Sequence, residues 1–289
     1  MHLGRLGVFA FLDGLDGPAT AQLARAVERL GYGTLWIVEA LGRDALTHAA
    51  HILARTDRLV VASGVASIWA REPSQMMAAA RTCAELSGGR FVLGIGVNSA
   101  KTATVRGLPY GRPVSAMRDY LLRMRQAAYA APAPSEDPPI VLAALAPRML
   151  GLAAAESRGT LTYLMTPEHT ARARTAVGSG WVCVEQAVLL ETDAVRARRI
   201  ARSYVQFYLP TISVYATMLR SLGFGDGDLA GELSDRLVDA IVAWGSAGQI
   251  RERIEAQFRA GATHVCILPL SPTGGVAPDR RALDALAPR

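Results

Sequence analysis

Eight short apolar runs, separated by longer amphipathic stretches, constrain this fold more than any other feature of the chain. They occupy residues 6–11, 34–38, 59–65, 91–96, 139–145, 160–165, 182–191 and 264–270. They are rich in Val, Ile and Leu and lack strict polar–apolar alternation, which marks strands covered on both faces, as in a parallel sheet. Helical segments lie between them at 17–32, 72–89, 112–130 and 246–262. The first opens near Pro18 and closes at Gly31; the second starts at Pro73 and stops at a glycine pair. Eight such units in 289 residues fit an α/β fold of the (β/α)8 TIM-barrel type. A doubly wound sheet would need fewer strands or more connecting chain. One barrel domain over 1–289 is therefore expected, long enough to bury a sizeable core.

One stretch breaks the rhythm. Residues 203–245 form a long insertion between the seventh strand and the last helix. Its aromatics and Met218 suit a substrate lid or a dimer contact, and equally an extra helical layer over the barrel. A second irregularity is "GRFVLGIGVNSA", residues 89–100, which begins like a dinucleotide-binding fingerprint. Ser99 stands where that pattern wants a third glycine. In a barrel the stretch is instead the end of the fourth strand, where small residues let backbone N–H groups approach an anion, or simply turn the chain.

Charge and cysteine usage narrow the function. The formal charge is +6, but the basic residues are dispersed and Lys101 is the only lysine. The dense arginine cluster at 195–204 has helical spacing and no interleaved aromatics, so it reads as a solvated helix face and no nucleic-acid partner is expected. No apolar run is long enough to span a bilayer, and the N-terminus lacks the pattern of a secretory signal. A cytoplasmic protein without a membrane partner is the expectation. Cys83, Cys183 and Cys266 sit singly in apolar settings, as buried thiols do. His48 and His51 are one helical turn apart without an evident third ligand; they read as helix-surface histidines, and no metal site is expected.

In a TIM barrel the chemistry belongs at the C-terminal strand ends. Those ends offer Asp13, Glu39, Ser67 with Ile68, Gly96 to Asn98, Ala144 with Leu145, and Thr166 to His169, with Arg148 and Glu191 close by. Strong acids and bases are few, which points to a bound cofactor that carries the reaction. Glu39 is the best acid–base candidate, because partial burial after four apolar residues favours a protonated carboxyl; a plain cofactor contact is its other reading. Asp13 and Trp69 are placed at the substrate pocket, with a packed core tryptophan as the alternative for Trp69. His169, in a first helical turn, would touch substrate or a cofactor tail, or merely neighbour the helix cap.

The segments "GYGTLWIVEA" and "DRLVVASGVASIWAREPSQMMAAARTCAELSGGRFVLGIGVNSA" resemble the bacterial luciferase-like family. So do "YGRPVSAMRDYL", "LAPRMLGLA", "YLMTPEHTARAR", "SDRLVDAIVAWG" and "GQIRERIEAQFRAGATHVCIL". That family includes flavin monooxygenases and deazaflavin-dependent oxidoreductases, and the likeness is strongest to an actinobacterial branch using coenzyme F420. The resemblance implies hydride transfer between coenzyme F420 and a small organic substrate, by an enzyme that is commonly a homodimer. It implies a non-prolyl cis peptide in a bulge ending the third strand, backing the cofactor ring, here at Ser67-Ile68. It assigns Gly96, Val97 and Asn98 to the ribityl chain or phosphate, and Ala144, Leu145 and Arg148 to a second phosphate-contact region. The family often has an acidic residue followed by histidine at the end of strand two; this chain has Glu39 followed by Ala40. Two rivals follow: an FMN-dependent monooxygenase using reduced flavin and oxygen, and a cofactor-binding barrel without activity.

Overall fold

Apolar runs of this kind cannot leave either face in water, and the chain solves the problem by closing them into a cylinder wrapped in helices. The computed structural model describes residues 1–210, 212–275 and 277–288; Thr211 of the insertion, Val276 and Arg289 lie outside the described residues. The elements run β1 (Leu6–Ala10), α1 (Gly17–Arg29), β2 (Thr34–Ile37), α2 (Ala45–Leu53), β3 (Val60–Ser63), β4 (Ala66–Ser67), α3 (Pro73–Leu86) and β5 (Phe91–Gly96). Then come α4 (Ala100–Val105), α5 (Pro113–Arg125), β6 (Ile140–Ala143), α6 (Pro147–Glu156), β7 (Gly159–Thr162), α7 (Pro167–Val177) and β8 (Trp181–Leu189). The chain ends with α8 (Ala194–Tyr208), α9 (Ser213–Ser221), α10 (Asp226–Leu229), α11 (Asp235–Ile241), β9 (Ala243–Trp244), α12 (Ala247–Arg259), β10 (His264–Pro269) and α13 (Arg280–Leu286).

Every pairing is parallel, and the order β10-β1-β2-β3-β5-β6-β7-β8 closes on itself because β10 also pairs with β8. All eight expected strands are present in the barrel. Two short strands are added: β4 against β5, and β9 against β8. The expected third strand stops at Ser63 and resumes at Ala66, so the interruption falls at Gly64-Val65. The expected sixth strand stops at Thr162, and Leu164 beyond it adopts a left-handed backbone with φ 59°.

Strand alternation divides the core in two. Leu35, Ile37, Leu93, Ile95, Val182 and Val184 point outward and pack under the helices. Phe9, Trp36, Ala62, Val92, Val141, Leu161, Cys183 and Cys266 point inward and fill the cylinder. The glycines of "GIG" have a packing reason: a Cβ on Gly94 would stand 1.9 Å from the Ser63 carbonyl oxygen, and one on Gly96 2.6 Å from Val65. They let β3, the loop after it and β5 approach closely.

The insertion forms its own apolar layer. Leu164, Met165, Ala187 and Leu189 at the barrel top meet Ala201 and Val205 of α8, Leu219 of α9 and Leu237 of α11. The arginine-rich face of α8 is less solvated than expected. Arg198 bonds Asp239 at 2.6 Å and Arg202 bonds Asp235 at 2.5 Å, so two of its cations clamp α8 to α11. The three cysteines are buried and free. His48 departs from the helix-surface reading: it is buried beside Arg43, and burial followed by that cation brings it down to about 4.

Candidate active site at the barrel mouth

Inward-facing residues near the C-terminal strand ends form the mouth. Phe11, Val38, Val65, Tyr163, Tyr204 and Leu270 are partly exposed and sit on the inner core. They come from the residues just after β1, β2, β7 and β10, from the β3–β4 junction and from α8, so a closed barrel is required to assemble them. Phe9 lies beneath, its ring 5.4 Å from Tyr163. A Cβ on Gly64 would be 2.7 Å from the Phe9 ring, so glycine lets this segment settle on the floor.

The chain contains a non-prolyl cis peptide, at Gly64-Val65, three residues before the expected Ser67-Ile68. The shift has a simple cause. Ser67 and Ile68 are committed to β5: Ser67 pairs with Gly96, and the Ile68 N–H donates to the Gly96 carbonyl at 3.1 Å. The bulge therefore falls earlier, where β3 and β4 are interrupted.

Glu39 does not face the mouth. It follows the outward alternation of Leu35 and Ile37, and its carboxylate accepts from Arg71 Nη1 and Nη2 at 2.9 and 2.6 Å and from the Ser67 N–H at 2.7 Å. Arg106 stands 3.9 Å away and also donates to the Ala40 carbonyl. Asp44 shares Arg71. Its own carboxyl is held low, because bonds from the Thr47 N–H and Arg71 outweigh burial. This network ties the loops after β2, β4 and β5 together. Sequence reasoning missed both arginines; the only local signal was basic residues following strand ends.

Most of the expected residues on strands three to five converge beside that network. The Ser67 hydroxyl accepts from the Trp69 N–H at 3.3 Å, and Trp69 Nε1 donates to the Val97 carbonyl at 2.7 Å. Trp69 also packs on Tyr110, whose hydroxyl reaches the Asn98 carbonyl at 3.4 Å. Asn98 adopts a left-handed backbone at φ 49°, which an amide side chain tolerates. Ser99 caps α4, so its place in the broken glycine pattern is that of a helix cap.

A second group gathers at the ends of β6 and β7. His169 Nε2 bonds the Leu145 carbonyl at 2.9 Å, joining two expected residues. Its Nδ1 is buried without a partner, and burial lowers its pKa despite the Leu145 bond. Ala144 is buried, and its carbonyl accepts from Thr160. Arg148 is exposed in the first turn of α6 and makes no bond or ion pair among the described residues. Asp13 stands apart, exposed, accepting from the Arg43 N–H at 3.2 Å. Glu191 pairs with Arg196 at 3.3 Å.

Inside the barrel is a carboxyl that sequence reasoning passed over. Glu185 lies on the inward face of β8 between Cys183 and Ala187 and is 2% exposed. It accepts from the Leu164 N–H at 3.2 Å, and its other oxygen, Oε1, lies 3.5 Å from the Tyr204 hydroxyl. Burial without a cation pushes its pKa up to about 8. Tyr204 Oη lies 2.9 Å from Tyr163 Oη, which lies 2.8 Å from Tyr208 Oη. The available signal was a lone acid sharing strand parity with Cys183.

Among the described residues, no group of three acid, histidine or cysteine side chains is placed to hold a metal ion, and no helix is long and apolar enough to cross a membrane. Residues 7–181 match the family model described as luciferase-like monooxygenase. The chain belongs to that family. As a luciferase-like protein it is an enzyme of the oxidoreductase class. It is 25% identical to a Mycobacterium tuberculosis protein named as a candidate coenzyme F420-dependent oxidoreductase, across 92% of this chain and 93% of that one. Its fold matches the coenzyme F420-dependent tetrahydromethanopterin reductase of Methanopyrus kandleri with a TM-score of 0.77 at 18% identity, over 99% and 98% of the two chains. An F420-dependent secondary alcohol dehydrogenase, solved with an F420–acetone adduct, superposes with a TM-score of 0.78 at 15% identity over the same shares.

Proposed function

We propose that this luciferase-like enzyme transfers a hydride between coenzyme F420 and an unsaturated or alcohol-bearing carbon of a small organic substrate. The observation that carries the reading is the pairing of an apolar mouth with unpartnered polar groups at one edge. Val65, Phe11 and Leu270 offer a dry wall for a flat ring. At the ends of β6 and β7, the buried His169 Nδ1 and the Arg148 guanidinium have no partner among the described residues. A ring with a long anionic tail fits that division.

When bound, the deazaflavin supplies or accepts the hydride. The protein contributes the rest. Val65 and Phe9 support the ring side of the mouth. Gly96, Val97 and Asn98 present a backbone edge, Arg148 meets the anionic tail, and His169 Nδ1, an acceptor because Nε2–H donates to Leu145, takes a hydroxyl of that tail. Ala144 and Leu145 hold that edge in place. Ser67, Ile68 and Trp69 keep the bulge in register, with Glu39 and Arg71 as their anchor. The tyrosines of α8 close the mouth and exclude water, which strengthens each polar contact made there.

Titration of the purified protein with coenzyme F420 and with FMN, each oxidised and reduced, tests this. Saturable F420 binding is expected. Tight FMN binding with no affinity for F420 would overturn the reading and favour oxygen-dependent monooxygenation.

A further inference from the structure

We propose that Glu185 is the proton reservoir of this barrel, linked through Tyr204 to Tyr163, whose hydroxyl serves the substrate at the mouth. The proposal rests on the hydride-transfer reading above. It begins from the placement of a carboxyl where none is needed for packing. Thr162 pairs with Val184, which brings the next residues along, Tyr163 and Glu185, to one level of the barrel. Glu185 faces inward, sealed from water, with the mouth above it.

No arginine, lysine or histidine bonds it among the described residues. The titratable groups around it are Tyr163 from β7, Tyr204 and Tyr208 from α8, Tyr215 from α9 and Cys266 from β10, each held in its neutral form by burial first. Cys183, on β8 itself, is likewise raised by burial. A carboxyl in that company keeps its proton at neutral pH and can donate it.

The hydroxyls form one connected chain. Tyr204 donates to Tyr163 at 2.9 Å, and Tyr163 donates onward to Tyr208 at 2.8 Å. The Tyr204–Glu185 contact is long at 3.5 Å, as such bonds often are before substrate closes the site. Tyr163 and Tyr204 are partly exposed residues at the mouth whereas Glu185 is 2% exposed, so the chain runs from a sealed carboxyl to two side chains of the mouth.

In carbonyl reduction, the reduced coenzyme would supply the hydride that forms a C–H bond at the carbonyl carbon. The C=O π pair moves onto oxygen. Tyr163, its O–H turned from Tyr208 to the substrate, breaks that O–H bond to protonate the oxygen and takes a proton from Tyr204, which takes one from the Glu185 carboxyl. The resulting carboxylate regains a proton from water after product leaves. Oxidation of an alcohol runs the same path backwards. Glu185 acts through the tyrosines and is a positioning residue; Tyr163 touches substrate.

Infrared spectroscopy of the intact protein tests the path without a substrate. The carbonyl stretch of a protonated carboxyl should titrate away near the value of about 8 in wild type and be missing in Glu185→Gln. After mixing with heavy water that band should shift faster than the protein globally unfolds. Tyr204→Phe and Tyr163→Phe should each slow the shift at least about tenfold, while leaving the carboxyl in place. With reduced coenzyme F420 bound, Tyr163→Phe should lower carbonyl turnover by about 10²-fold with coenzyme affinity unchanged. Absence of the band at neutral pH, or exchange at the wild-type rate in both tyrosine variants, overturns the relay. A wild type that binds no coenzyme F420 overturns the functional reading instead.

Discussion

Glu39 and Arg71 meet as a two-pronged ion pair, 2.6 and 2.9 Å, with the carboxylate side chain 3% exposed and the guanidinium 14%. A charge buried that deeply is costly once its partner is gone. Arg71→Ala should therefore destabilise the protein by about 3–5 kcal/mol, read as a lower urea midpoint. Adding Glu39→Gln to that variant should recover part of the loss, because the stranded charge is then removed.

Gly94 and Gly151 should respond oppositely to alanine. The methyl group at 94 would collide with the Ser63 carbonyl, whereas nothing lies within 4 Å of the position a methyl would take at 151. Gly94→Ala should cost about 3 kcal/mol or more by forcing β3 from β5. Gly151→Ala, at an exposed position of helix α6, should gain about 0.5–1 kcal/mol by reducing the conformational freedom of the unfolded chain. Urea unfolding of both variants checks the pair.

Glu185 predicts a pH dependence of stability. Its folded pKa of about 8 lies above the ordinary 4.5, so unfolding releases a proton between those values. Its stabilising contribution is full below about 4.5 and is lost as pH rises towards 8. His48 and His264, both lowered to about 4 by burial first, act with the opposite sign as pH falls below 6.5. The wild-type minus Glu185→Gln difference isolates the carboxyl. It should shrink steadily from pH 4.5 to 8 in denaturant titrations.

Arg148 separates binding from folding. It holds no partner among the described residues and is exposed, so Arg148→Ala should leave the stability within about 0.5 kcal/mol of wild type. Coenzyme F420 affinity should fall by about fivefold to tenfold, the size of one exposed charge-assisted contact. Isothermal titration with oxidised coenzyme measures it.

The eight strands and the main helices were legible because their signals are local. Val-, Ile- and Leu-rich runs need cover on two faces, Pro18 and Pro73 lie in the first turns of the helices they start, and Ser246 caps α12. Gly96, Asn98 and Leu145 were findable as strand ends for the same reason. Their neighbours were not. The bulge sits at Gly64-Val65 because Ser67 pairs with Gly96, a register no local pattern specifies. Glu39 looked like an acid waiting for a role, and only folding supplies Arg71, 32 residues away.

By itself, then, the sequence determined the class of fold, the family, the buried character of the cysteines and the small backbone at the end of the fourth barrel strand. Tertiary structure alone decided which side of the sheet each end residue faces and which charges find partners. It alone brought Glu185, Tyr163 and Tyr204 from β8, β7 and α8 to one point. The reason is physical: a period of two or of 3.6 is written in neighbouring residues, whereas the ionisation of a buried group depends on whatever closing the barrel places beside it.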